Sequence, residues 1–358
     1  MSWNPFRIVS KGFLGVDIGT FSIKIVELSK SGKRKKLENY GEIEASALYE
    51  RPFRTFEKST LTVSNQDVIR AIRAILQEAK IRAKKAYFSI PDFSTFFTTI
   101  TLPAMTQEEL PQAVNYEARQ HIPIPLQDVT LDWQIIEQAE GLHNKPGEFK
   151  ILLVAVPNEV IQQYQRIAQG TGLQLISLEA EVFSLARALV VESEKKEAIS
   201  LVDIGARSTT ISIIDKGVLK LSHSFDTSGN DLTNVIAKGL NLDYQVAEEM
   251  KKKKGFLREN GEVREAIIPL VDLILSEIQK IFSNFYQTEK KEVQKIILAG
   301  GSALLPGMVD YFIEETKKQV EIASPFSDIY YPPILEETLK PMGPSYAIAV
   351  GAALNGLQ

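Results

Sequence analysis

Two short stretches of the chain combine the residue types that hold phosphate and a divalent metal. Phe13-Leu-Gly-Val-Asp17-Ile-Gly19-Thr20-Phe21-Ser22-Ile-Lys24 can be laid over Ile199-Ser-Leu-Val-Asp203-Ile-Gly205-Ala206-Arg207-Ser208-Thr209-Thr210 with Asp, Gly and Ser in the same register, Asp203 lying 186 residues after Asp17. In each copy an apolar run ends at Asp-Ile-Gly and a β-branched run begins within four residues, which predicts a hairpin closed by a glycine-assisted turn. Such a tip exposes backbone N–H groups and hydroxyls suited to phosphate oxygens, and an aspartate beside it suits magnesium held mostly through its waters. One Asp-x-Gly alone is ordinarily only a turn; the repeat, at a spacing too long for a solenoid and right for a duplicated domain, carries the phosphate reading. A third element, Lys295-Ile-Ile-Leu-Ala299-Gly300-Gly301-Ser302-Ala303, is a strand followed by adjacent glycines that let a flat base and ribose approach the backbone.

The elements that must carry these tips alternate between strand and helix. Strands are expected at Leu37 to Ala45, Ala86 to Ile90, Thr95 to Leu102, Val129 to Glu137, Lys150 to Val156 and Lys295 to Ala299. Helices are expected at Asp67 to Leu76, Glu108 to Gln120, Asn158 to Gln169, Leu232 to Lys254, Ile267 to Tyr286, Gly307 to Lys318 and Ser345 to Leu354. A polar turn is expected at Gly141 to Gly147. Thr106-Gln-Glu-Glu109 reads as a capping box, yet Pro111 would then interrupt the first turns, so the helix can instead begin at Pro111. The stretch between the two repeats has the character of an inserted subdomain.

Composition narrows the classes of function. With 41 Lys and Arg against 45 Asp and Glu the net charge is −4, so no global positive field recruits nucleic acid. The chain has no cysteine, which removes disulfides, thiolate zinc sites, iron–sulfur clusters and a Cys nucleophile together; the three histidines, His121, His143 and His223, are scattered. The apolar run Ile151 to Val156 falls far short of the roughly 20 residues of a membrane helix, and the N-terminus lacks the apolar core of a signal peptide, so a cytoplasmic protein is expected. There is no Gly-x-x-x-x-Gly-Lys-Ser/Thr loop, no Gly-x-Gly-x-x-Gly and no Gly-x-Ser-x-Gly elbow. The basic clusters Lys33 to Lys36, Arg82 to Lys85 and Lys251 to Lys254 read as solvated turns and helix faces.

These motifs resemble the actin/hexokinase/Hsp70 superfamily of ATP-binding proteins. The resemblance implies an α/β, actin-like (ribonuclease-H-like) fold of duplicated domains with ATP or ADP and Mg²⁺ in the cleft between them. Gly15 to Lys24 resembles the superfamily's first phosphate motif, contributing Gly19, Thr20, Phe21, Ser22 and Lys24, although the strand position of Lys24 can equally aim it at solvent. Asp203 to Thr210 resembles the other phosphate motif, contributing Gly205, Ala206, Arg207, Ser208 and Thr209. Asp17 and Asp203 would serve the metal. Gly229, Glu248 and Lys251 would join the nucleotide site, the last two at the ribose, and Gly300, Gly301 and Ser302 would form the adenosine motif. Glu181 occupies the position that orients water in hydrolysing members. Glu181 to Ala188 and Tyr346 to Ala353 are similar to the connecting helices.

Within that superfamily, Ala113-Val-Asn-Tyr116-Glu117 through Ile122-Pro123-Ile124-Pro125-Leu126 to Asp132-Trp133, with Leu178-Glu-Ala-Glu181-Val-Phe-Ser-Leu-Ala-Arg187, is similar to the PilM family of type IV pilus assembly. That resemblance implies subdomain 1A at 1–91, an inserted subdomain 1C of the FtsA/PilM type at 92–177, a connecting helix at 178–198, 2A at 199–226 and 291–340, 2B at 227–290, and the returning helix at 341–358. FtsA carries a tail ending in a membrane-binding helix; here only a few residues follow Gly351, so that anchor is not expected. The implied function is an ATP-binding scaffold with slow hydrolysis at most, peripheral to the inner membrane through the cytoplasmic N-terminal segment of PilN. Phe96, Phe97, Ile122, Pro123, Ile124 and Pro125 are the expected groove for that segment. The alternatives are a small-molecule kinase of the superfamily and an FtsA-like filament protein.

Overall fold

Residues 12–44, 64–138, 147–191, 197–259 and 261–358 are described by a computed structural model of the chain. The chain opens as a meander of β1 (Phe13–Ile18), β2 (Ser22–Ser31) and β3 (Arg34–Glu44), followed by helix α1 (Asn65–Glu78) and strand β4 (Lys85–Ile90). Ser64 caps α1 by accepting from the Asp67 N–H, and Val68, Ala71, Ile72 and Ile75 form its buried stripe, the spacing that a 3.6-residue period dictates. Next come β5 (Phe96–Leu102), α2 (Leu110–His121), β6 (Val129–Gln138), β7 (Phe149–Pro157) and α3 (Asn158–Thr171). Both readings of the α2 start meet in the structure. Glu109 reaches back to the Thr106 N–H at 2.8 Å, while the helix itself begins at Leu110, placing Pro111 in the first turn where a missing N–H costs nothing. The turn expected at 141–147 lies, apart from Gly147, outside the described residues.

Strand β8 (Gln174–Ala180) runs directly into α4 (Glu181–Leu189), and the second repeat begins with β9 (Ala198–Ile204), β10 (Thr209–Asp215) and β11 (Val218–Phe225). Helices α5 (Gly229–Gly239), α6 (Tyr244–Lys254) and α7 (Gly261–Glu289) lead to β12 (Lys295–Ala299), α8 (Met308–Thr316), β13 (Gln319–Ile322) and α9 (Glu336–Asn355). The single helix expected over 232–254 is two. Asn241, at φ +52°, breaks it, and Asp243 caps the second by accepting from the Gln245 N–H at 2.9 Å. Helix α9 starts nine residues before the expected Ser345 and runs through Pro341 and Pro344, its early turns held by buried Leu339. β8 and β13 were not expected, because four to seven residues of mixed polarity give little periodic signal.

Two sheets share one plan. The first has the order β3-β2-β1-β4-β8 and the second β11-β10-β9-β12-β13; in each the first three strands are antiparallel and the last two run parallel to the first. The inserted block makes a third sheet, β5-β7-β6, covered by α2 over a core of Ile100, Leu102, Leu110, Val114, Phe149 and Ile151. The described chain divides into two units, one of residues 1–90, 162–188 and 324–358, the other of 91–161 and 189–323. In the first, α9 packs its small residues on β1, β2 and β4; in the second, α5 to α8 bury Leu232, Ile236, Ile267, Ile274 and Phe312 against β9 and β12.

Candidate nucleotide site

The two repeated tips fold the same way. Gly19 N–H donates to the Ser22 carbonyl at 3.1 Å, and Gly205 N–H donates to the Ser208 carbonyl at 3.0 Å. Each tip joins antiparallel strands at the carboxyl end of a strand, β1 or β9, that also has a parallel neighbour, and it is at such ends that α/β sheets bind ligands. The intervening residues Thr20, Phe21, Ala206, Arg207 and Ser208 are half-buried at these tips.

The aspartates differ in their surroundings. Asp17 pairs across the hairpin with Lys24, whereas Asp203 pairs with Thr210. Asp17 is 4% exposed, and burial raises its carboxyl to about 6, with Lys24 opposing the rise and Glu42 adding to it. Lys24 is not at solvent as its strand position allowed. It is buried, donates to the Ser22 hydroxyl at 2.6 Å, and lies 3.6 Å from Glu42 and 6.0 Å from the Tyr346 ring centre. Thr209 also turns its side chain inward: it is fully buried and donates its one hydroxyl proton to the Thr227 carbonyl at 2.6 Å, bracing the loop ahead of α5. Arg207 lies 4.3 Å over the Phe93 ring; burial pushes its guanidinium down from the usual range, and Asp226 opposes that.

In the second unit the remaining candidates converge on the Gly205 loop. Gly229 N–H donates to the Gly205 carbonyl at 2.8 Å and Asn230 N–H to the Ala206 carbonyl at 3.0 Å, so the first turn of α5 hangs from the loop. A Cβ on Gly229 would stand 2.6 Å from Ser302 Oγ, and one on Gly300, at φ +81°, would stand 2.5 Å from Asp203 Oδ1. Only glycine fits at Gly300, where the Ile204 carbonyl oxygen also lies 2.5 Å from such a Cβ and the backbone is left-handed. Gly301 and Ser302 begin a 3₁₀ turn behind Gly300. Glu248 and Lys251 lie on α6, with Lys251 donating to the Gly229 carbonyl at 2.8 Å. Asp203, Gly205, Ala206, Gly229, Lys251, Gly300 and Ser302, far apart in sequence, are thus neighbours in this unit.

Glu181 begins α4 where β8 ends, half-buried in the first unit. Beside it is a residue that sequence reasoning missed. Tyr164 of α3 is fully buried with its ring edge-on to Phe88, and its hydroxyl has no hydrogen-bond partner among the described residues. Burial first, then the charges of Glu181 and Asp17, push that phenol well above its ordinary value. One aromatic on an amphipathic helix carries no sequence signal of this kind. Glu179 was also missed; it binds Ser184 at 2.5 Å, Arg187 at 2.5 and 2.7 Å and Asn355 at 2.9 Å, locking β8, α4 and α9 together.

The six residues expected to form a partner groove do not share one surface. Ile122 is 7% exposed and fills the core of the inserted block, with Phe96 and Ile124 packed against the same cluster. Ile122 is therefore a core residue because its side chain closes the sheet against α2. Phe97 lies on the other side of β5, in a cavity of about 250 Å³ with Lys150, Lys220, Asn284 and Glu289, while Pro123 and Pro125 are exposed.

Comparison with known proteins agrees with this architecture. The family described as "Type IV pilus assembly protein PilM" matches residues 15–357. The cell division protein FtsA of Pseudomonas aeruginosa is 24% identical, over 97% of this chain and 90% of its own. Among solved structures, the "PilM-PilN type IV pilus biogenesis complex" superposes with a TM-score of 0.81 at 24% identity, covering 96% of this chain and 98% of that one. MreB 5 of Spiroplasma citri bound to AMPPNP does so with a TM-score of 0.55 at 13% identity, covering 96% of each. The fold is therefore the actin-like one that the resemblance implied, and since the match runs through both glycine tips, the inserted block and the last helix, the chain belongs to the PilM family of type IV pilus assembly proteins.

Proposed function

We propose that the chain is a nucleotide-binding scaffold of a type IV pilus inner-membrane assembly complex. The observation that carries this reading is the family match over residues 15–357. Nucleotide binding is supported by the like-folded Gly19 and Gly205 loops, one in each unit, and by the convergence of Gly229, Gly300 and Ser302 on the second of them. ATP or ADP is the proposed ligand, its phosphates taken by backbone N–H groups of these loops and its nucleoside by the α5–α6 and Gly300 side. Among the described residues no group of three or more His, Asp or Glu could hold a metal ion by itself. Magnesium is the proposed ion, carried mainly by phosphate and water oxygens with Asp17 and Asp203 as outer carboxylates, and it would supply charge neutralisation at the phosphates. Glu181 orients water in this reading, and turnover stays slow, well below the roughly 10 per second of an ordinary enzyme, in a phosphate-release assay on the isolated chain.

The proposed partner is the cytoplasmic N-terminal segment of a PilN protein, supported by the fold shared with the PilM–PilN complex. No described helix is long and apolar enough to cross a membrane, and attachment through such a partner would place the chain at the inner membrane's cytoplasmic face. The test is calorimetric titration of the full chain with a synthetic peptide of the cognate PilN N-terminus. Saturable one-to-one binding is expected, lost when the peptide sequence is scrambled. Absence of binding by a folded chain that still takes up ATP would remove the partner while leaving the nucleotide reading in place.

A further inference from the structure

Asp17, Lys24 and Glu42 stand in one row across three neighbouring strands. Lys24 of β2 is directly opposite Asp17 of β1 on one side and Glu42 of β3 on the other, both pairings antiparallel, so the three side chains leave the sheet on the same face. It is the face that α9 covers, since Gly15, two residues before Asp17, is where β1 abuts that helix.

A lysine between two carboxylates can serve either. Here its ammonium donates to the Ser22 hydroxyl at 2.6 Å and stands 3.6 Å from Glu42 Oε1, and among the described residues no hydrogen bond or ion pair joins it to Asp17. The carboxylates also differ in their surroundings. Asp17 is almost wholly buried, whereas the Glu42 side chain is 30% exposed. Glu42 is anchored from α9 as well: burial, then the Glu42 charge and a hydrogen bond to it, push the Tyr346 phenol above its usual range, and the ring centre of Tyr346 is 6.0 Å from Lys24 Nζ. Attraction alone would favour the more deeply buried carboxylate, where the dielectric is lower. Ser22 and Glu42 instead hold the ammonium on the far side of the row, and Asp17 is left without a paired counter-ion in a setting where an unpaired charge is costly.

We propose that Glu42 is a positioning residue: by holding the Lys24 ammonium on its own side of the row, it keeps Asp17 free for the cation that enters with the nucleotide. The proposal rests on the nucleotide reading above, and it gives Lys24 a role other than contact with phosphate. Glu42 itself touches neither nucleotide nor metal. With its charge removed, the ammonium turns across the strand to Asp17 and competes there with the cation.

The test is calorimetric titration of the full chain with ATP at pH 8, once with magnesium and once with EDTA. Glu42→Gln, which keeps the shape and removes the charge, is expected to cut the gain in affinity that magnesium brings by at least about threefold. The same change made in a Lys24→Met background is expected to leave that gain as it is in Lys24→Met alone, because no ammonium is released. A metal-free readout accompanies it: the shift in urea midpoint that Asp17→Asn produces at pH 8 without nucleotide is expected to fall by at least about half in the Glu42→Gln background, where Lys24 already pairs with Asp17. Should the glutamine variant not fold, Glu42→Ala carries the same measurements. A folded Glu42→Gln that keeps the wild-type gain overturns the inference while the nucleotide reading stands; so does an Asp17→Asn shift of equal size in both backgrounds. An equal loss of the gain with and without Lys24 also overturns it, since Glu42 then acts on the cation by its own charge. Wild type that binds no ATP under either condition overturns the nucleotide reading and the inference with it.

Discussion

Asp17→Asn is expected to lose magnesium-dependent ATP binding by at least about a hundredfold and, at the same time, to make the nucleotide-free protein more stable at pH 8. Both effects come from one buried carboxylate. Its folded-state pKa of about 6 exceeds the ordinary value of 3.8, so the folded protein binds the proton more tightly than the unfolded chain does. The group therefore lowers stability progressively as pH rises from about 4 through 6, and the full penalty applies above 6. A shift of that size corresponds to roughly 3 kcal/mol, an upper figure for the gain on neutralising the side chain. Urea midpoints of the two proteins, measured without nucleotide, should separate at pH 8 and converge near pH 4. Metal-dependent ATP binding by wild type should weaken as pH falls below 6, since the acid form attracts no cation. An Asn variant that binds Mg–ATP as wild type does removes Asp17 from the site; one that shows no pH-dependent gain removes the account of its burial.

Gly15→Val and Gly351→Val are each expected to abolish soluble folded protein or to cost at least about 4 kcal/mol. A Cβ on Gly15 would overlap the Ala349 carbonyl oxygen and the Ala353 nitrogen of α9, and one on Gly351 would overlap the Ser184 carbonyl of α4. The obstacle in both cases is backbone, which cannot rotate aside as a side chain can. The carbonyl of Gly351 also accepts from Arg187 at 3.0 Å, so displacing α9 would disturb the Glu179–Arg187 pair as well. Gly239→Ala is the control, since nothing lies within 4 Å of a Cβ there. Circular dichroism and urea titration of the three variants decide the matter. A valine variant with the wild-type midpoint would show that the helix–strand approach is looser than described.

The gain in stability from Asp17→Asn and the loss from Gly15→Val arise two residues apart on the same strand. The strand must be close-packed on α9 to place the carboxylate where solvent is excluded, and that exclusion is what raises its pKa.

Local residue pattern was enough for the duplicated hairpins and the Gly300 turn, because Asp-Ile-Gly after an apolar run is a short-range signal and its recurrence 186 residues later survives any uncertainty about packing; the actin-like class came from the family resemblance that those motifs carry. It was also enough for the strand Lys295–Ala299 to the residue, since a wholly buried strand is a continuous apolar run with clear ends. The rest waited on packing. That Lys24 turns inward onto Ser22 and Glu42, that Ile122 fills a core instead of lining a groove, and that Tyr164 stands beside Asp17 and Glu181 all depend on which face of an element meets another. Periodicity gives two faces and does not say which one a distant segment will cover. The same holds for Lys251: four consecutive lysines at the end of α6 read as a solvated face, and only the packing of α6 on α5 draws the first of them inside, where Glu248, Thr233 and Gly229 take all three of its protons.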